Sequence, residues 1–139
     1  MSTRSVAHYF DGETLLCTVY RHHDGYPSGR GDELAEYLNG HTLVNGIRSG
    51  YDPRKIFNGA DSMAAQCVAF EVNEGHSIRM VQAGNVPRDA EYVYEIHGDT
   101  MDPSNGIRLV CYTAGREAPL YDGDPDAFDG VAIEATEQR

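Results

Sequence analysis

The segment Tyr20-Arg21-His22-His23-Asp24-Gly25-Tyr26-Pro27-Ser28-Gly29-Arg30-Gly31 places three glycines and a proline within twelve residues. Neither a regular helix nor a regular strand runs comfortably through such a stretch. Ahead of it, Leu15 to His22 alternates like a strand, with Leu15, Cys17, Val19 and Arg21 on one face and Leu16, Thr18, Tyr20 and His22 on the other. Behind it, Asp32–Leu38 puts Leu34, Tyr37 and Leu38 on one helical face, and Asn39-Gly40 stops the helix. The chain therefore changes from strand to helix through a loop over residues 24–31. Loops held between rigid elements often carry ligand-handling residues, and the twelve-residue segment that contains this one offers two histidines, an aspartate, two arginines and two tyrosines.

Two strands precede the loop, Ser5 to Phe10 and Leu15 to His22, joined at Asp11-Gly12, a strong hairpin signal. Residues 41–60 read as a short strand at His41 to Val44, a turn at Asn45-Gly46 and a short helix from Pro53 to Phe57. A long helix is expected over Asp61 to Val72, capped by Asp61; it is apolar almost all round and so belongs in a core. Three more strands follow: Ile78 to Gln82, Glu91 to His97 and Ile107 to Thr113. This order predicts one α+β domain over 1–133, an antiparallel sheet of five strands with two or three helices on one face. Phe128 and Val131 are expected to dock the tail, with residues 134–139 frayed.

The formal net charge of −11 over 139 residues argues against direct nucleic-acid binding, which needs cations to displace phosphate counterions. It suits solubility, or binding to a basic protein surface. Residues 117–139 hold seven acidic residues and one basic, Arg139. No apolar run approaches the roughly 20 residues that span a bilayer, and no secretion signal is visible behind Met1. Cys17, Cys67 and Cys111 are far apart and sit in apolar surroundings, which reads as buried free thiols in a reducing cytoplasm.

No complete catalytic or metal signature is present, so no catalytic residue, metal or cofactor is assigned. Neighbouring His22 and His23 point to opposite faces of a strand, so Asp24 cannot easily join both; a closed site would need His8, His41, His76 or His97. Ser28 lacks the nucleophile-elbow spacing. A small-anion site is better supported. A Gly-rich turn before a helix can present N–H groups, Arg21 and Arg30 can add charged donors, and Tyr26 an aromatic face. The loop lacks P-loop spacing, and Asp32 and Glu33 oppose a phosphate there. A plain tight turn fixed by Tyr26 and Asp24 accounts for the same residues. Arg79 and Arg108 hold second positions of two strands, with Tyr112 on the face of Arg108, and could line a second surface.

The opening Ser2-Thr3-Arg4-Ser5, then Asp11-Gly12, then Tyr20-Arg21-His22-x-Asp24-Gly25-Tyr26-Pro27-x-Gly29-x-Gly31 and Leu34 resembles small phage and prophage proteins that begin this way and carry a Y-x-H-x-DGYP core. A looser echo lies in Asn45-Gly46 and Ala64-Ala65-Gln66. These proteins look like the size class of phage anti-defence proteins, including anti-Thoeris sponges that sequester cyclic ADP-ribose-type signals. The resemblance implies stoichiometric capture of a cyclic nucleotide or ADP-ribose-like molecule by a homo-oligomer in the host cytoplasm. No binding residues of known sponges are carried over. The candidate ligand contacts are Arg21, His22, Asp24, Tyr26 and Arg30, with Arg108 and Tyr112. The rival expectation is an acidic inhibitor of a host defence protein, acting through Asp122 to Asp129. A phosphodiesterase-like enzyme comes third.

Overall fold

The computed structural model describes residues 2–46 and 52–137. A hairpin opens the chain: β1 (Arg4–Asp11) and β2 (Thr14–Arg21) pair antiparallel around Gly12, whose φ of 58° suits glycine. A π-helical turn, Pro27–Gly31, leads into α1 (Asp32–Asn39). Next come β3 (Thr42–Val44), a 3-10 turn (Pro53–Lys55) and β4 (Ile56–Asn58). The helix expected over Pro53 to Phe57 is thus one short turn followed by a strand, because Ile56 and Phe57 are buried beside β3. The long helix α2 runs Ala60–Asn73. It precedes β5 (Ile78–Val81), β6 (Ala90–Gly98), β7 (Arg108–Thr113), β8 (Tyr121–Gly123) and α3 (Gly130–Glu137).

The fold is α+β, with one six-stranded sheet in the order β5-β2-β1-β6-β7-β8 and a small parallel pair, β3-β4. The main sheet is mixed rather than wholly antiparallel, since β6 pairs parallel to β1. The cause is the connection from β5. Instead of turning back in a hairpin, residues 82–89 cross to the far side of β1 and deliver β6 there. The longest strand, with Tyr94 and Ile96 fully buried, thereby takes an interior slot. Short β5, with Arg79 and Met80 exposed, is left at the edge.

Period-2 alternation divides the sheet into two faces. Ala7, Tyr9, Val19, Tyr94, Ile96, Leu109 and Cys111 join Leu34, Ala35 and Leu38 of α1 and Ala60, Met63, Ala64 and Cys67 of α2 in one core. α3 lies against the same face, where Tyr92 Oη donates to Glu137. The opposite face carries Arg4, Val6, His8, Tyr20, Arg79, Glu95, His97, Arg108 and Tyr112. Its cover includes the 82–89 crossover, anchored where Gly84 N donates to Thr18 Oγ1 at 2.8 Å.

The tail carries elements that the sequence reading did not expect. Asp124 to Phe128 turns through a 3-10 segment, and the helix α3 covers Gly130–Glu137. Ile133, 8% exposed, docks it, whereas Val131 is 67% exposed. Phe128 does dock, edge-on to Tyr121. Gly130 explains the close fit: a Cβ there would sit 2.3 Å from the Pro27 carbonyl oxygen. Gly130 N also donates to Asp32 at 2.8 Å.

Candidate functional site

Gly25 N donates to Thr3 O, Arg30 N donates to Asp24 O, and Tyr94 Oη donates to Gly25 O, so the glycine-rich loop is stitched into the domain. Asp24 adopts φ 56° to make this turn, a conformation aspartate tolerates better than most residues. A Cβ on Gly31 would come within 2.6 Å of the Phe128 ring. These glycines admit neighbouring groups, and the loop's backbone is spent on internal bonds.

Its two arginines are spent as well. Arg30 is fully buried. It donates through Nε and Nη2 to both oxygens of Glu71, each at 2.9 Å. Its Nη1 reaches Ser5 O, Ser5 Oγ and Val19 O at 3.2–3.3 Å. Burial alone would drag the Arg30 pKa down; the Glu71 charge and hydrogen bonds outweigh that and hold it above the ordinary value. Arg21, also buried, donates to Glu71 at 3.3 Å, to Glu33 at 3.1 Å and to the His23 carbonyl at 2.8 Å. Glu33 in turn meets His76 at the rim. This network closes the core end, and neither arginine presents a guanidinium to solvent.

His22 faces the other way, as strand parity requires. His22 N extends the β2 ladder by donating to Ser77 O, and its half-buried ring lies on the open face. Arg79 stacks over Tyr20, 5.2 Å from the ring centroid. The His22 ring lies 6.4 Å from that of Tyr20 and 4.5 Å, edge-on, from that of His23. Partial loss of hydration, then the charges of Arg4, His23 and Arg79, push the His22 pKa down, with only Asp89 opposing. In a chain of net charge −11 this corner holds two arginines, Arg4 and Arg79, against one carboxylate, Asp89. Arg79 has no carboxylate within ion-pair reach among the described residues, whereas Arg4, Arg21, Arg30, Arg54 and Arg108 each have one.

The other expected contacts are scattered. Asp24 is exposed and accepts from Tyr26 Oη at 3.4 Å, a pair on the rim of the loop. Arg108 forms a two-pronged pair with Asp122, both contacts 2.6 Å. Tyr112 shares a cross-strand row with Val93, Val6, Tyr20 and Arg79. At roughly 4.8 Å per strand it stands about 14 Å from Tyr20. Arg108 and Tyr112 therefore share the open face with His22 but not its corner. Arg4, His23 and Asp89 belong to the corner and were missed as contacts. For Arg4 the signal was parity, since Arg4 and Val6 share a face of β1 as Tyr20 and His22 do of β2; His23 and Asp89 lie outside the strands, and the expectation that His23 points away from His22 fails because β2 ends at Arg21.

Among the described residues no three His, Cys, Asp or Glu side chains gather as a metal site. An open groove of about 580 Å³ lies away from the corner, lined partly by Asn39, His41, Asn45, Ser104, Asp124 and Asp126. No protein-family model, no curated protein and no solved structure matches this chain. No helix among the described residues is long and apolar enough to cross a membrane.

Proposed function

We propose that the chain is a non-catalytic binding protein for a small anionic ligand of nucleotide type, held at the His22 corner. The observation that carries this reading is the gathering of Arg79, Arg4, His22 and His23 around one exposed edge of an otherwise acidic protein. A phosphate is attracted by the two arginines, and the His22 imidazole, held towards its neutral form, offers a flat ring face beside them. The resemblance to phage proteins supplies the biological setting: sequestration of a cyclic nucleotide or ADP-ribose-like immune signal in the host cytoplasm, by a homo-oligomer. Arg79 and Arg4 replace Arg21 and Arg30 as its cationic contacts.

The test is native mass spectrometry after incubation with a panel of cyclic nucleotides and ADP-ribose derivatives. A retained ligand of unchanged mass, lost in Arg79→Ala and His22→Ala, supports the proposal. A ligand recovered cleaved points to an enzyme. Binding equal to wild type in both variants overturns the site.

One observation favours the second reading, an acidic inhibitor of a host defence protein. Asp124 and Asp126 line the groove, no described arginine or lysine does, and the C-terminal end of α1, at Leu38 and Asn39, adds its negative dipole. A basic segment of a partner suits that surface. Salt-sensitive capture of a basic partner, lost in Asp124→Asn/Asp126→Asn, would favour this reading over the first.

A further inference from the structure

The crossover that covers the open face ends in Asp89, and Asp89 occupies part of the His22 corner. Its Oδ2 accepts a hydrogen bond from Tyr20 Oη at 3.1 Å and lies 3.2 Å from Arg4 Nε. That second contact has the distance of an ion pair without the direction of a hydrogen bond, so the buried Arg4 Nε is left with no hydrogen-bond partner. A buried donor without an acceptor is uncommon and calls for a physical explanation. Beside it, Arg79, His22 and His23 have no such internal anion. The corner thus offers two places for negative charge, one open and one filled by a carboxylate that satisfies its surroundings imperfectly.

Resting on the anionic-ligand reading above, we infer that Asp89 stands in for a second phosphate, so that ligands bearing two linked phosphates displace it while single phosphates bind beside it. A phosphate brings more charge and more acceptor oxygens than a carboxylate, and so competes well for Arg4 and Tyr20. Displacement is easy because the Asp89 side chain is 51% exposed and can turn into water. The loop stays anchored through Gly84 and Thr18. Asp89 then sets the selectivity of the corner: it penalises diphosphates by the work of its own displacement.

The probes are inorganic phosphate and pyrophosphate, titrated against the full chain and followed by the NMR signals of the His22 ring. Asp89→Ala empties the second place, whereas Asp89→Asn removes the charge and keeps an occupant. The expected result is that Asp89→Ala raises pyrophosphate affinity at least tenfold more than phosphate affinity, while Asp89→Asn raises both by similar, smaller factors. Equal gains for the two anions in Asp89→Ala would show that only charge matters and would overturn the inference. If Arg79→Ala abolishes phosphate binding but neither Asp89 variant shifts the preference, the inference falls and the anionic site stands. If neither anion moves the His22 signals in any variant, both fall together.

Discussion

Replacing Glu71 by glutamine is the sharpest probe of how this domain is held. Glu71 is 1% exposed and takes both forks of Arg30, together with one nitrogen of Arg21. Glutamine conserves shape but removes the charge, and it turns an NH₂ towards one of the Arg30 donors. Arg30 then has no carboxylate partner, and Arg21 keeps only Glu33, which is 34% exposed and already divided between Arg21 and His76. Orphaning a buried charge in this way costs about 3–5 kcal/mol, against a whole-domain stability of about 5–15 kcal/mol. At this chain length that corresponds to a fall in melting temperature of about 10–15 °C. Urea unfolding measures it directly, as a lower midpoint at unchanged slope. Asp122→Asn is the internal control, since its pair with Arg108 is largely exposed and is worth only about 0–1 kcal/mol. The double variant Arg30→Met/Glu71→Met should be less destabilised than Glu71→Gln, because the facing charges leave together. A loss below about 1 kcal/mol in Glu71→Gln would refute the view that this network holds the fold.

Three further outcomes are expected. Gly130→Ala should destabilise the domain and release α3, seen as faster amide exchange from Ile133 to Glu137, because the new Cβ would lie 2.3 Å from the Pro27 carbonyl oxygen, a backbone atom that cannot swing aside. Cys67 and Cys111 should resist a thiol reagent at pH 8 in the native state, burial having pushed the Cys67 thiol far up and that of Cys111 to about 12; Cys17, half-exposed, should react first. Burial also lowers the His8 pKa from 6.5, with Glu95 pulling the other way. The unfolded chain then takes up this proton more readily than the folded one, so the associated stability is present above pH 6.5 and is lost as pH falls through the folded pKa. Denaturant titrations at pH 7 and pH 5 should show this loss, and His8→Gln should reduce it.

Most of the chemistry decided locally was legible, though the helix cap expected at Asp61 falls on Gly59 and uses no side chain. Asp11-Gly12 specifies its hairpin through backbone preference alone, and the apolar run from Ala60 onward specifies a core helix. The parallel pairing of β1 with β6 was not legible, because a crossover and a hairpin begin with the same Gly84-to-Pro87 turn residues. Which one forms depends on where the apolar side chains of β6 find cover. The helix α3 was not foreseen for a related reason. Gly130 looks like a helix breaker in isolation, and it becomes a docking point only against Pro27, whose position is set by the distant loop.

The same division between local and distant information runs through the site. Arg21 and His22 are neighbours, and composition treats them as one cluster, yet strand parity sends them to opposite faces of the sheet. On one face, Arg21 and Arg30 meet Glu71, which arrives 41 residues after Arg30; their charge is consumed there, and the loop becomes a strut. On the other, His22 meets Arg4 and Arg79, residues that each look like an ordinary solvated strand cation. The arginines with the most suggestive sequence neighbourhood are therefore the ones least able to touch a ligand. Arg79 has a bland neighbourhood, and it keeps its charge unpaired among the described residues because β5 lies at the sheet edge, against Tyr20 rather than a carboxylate. Burial is costly for a guanidinium unless it is neutralised, so a fold that buries two must surround them with acceptors. Function needing positive charge is then left to the cations that remain at the edge.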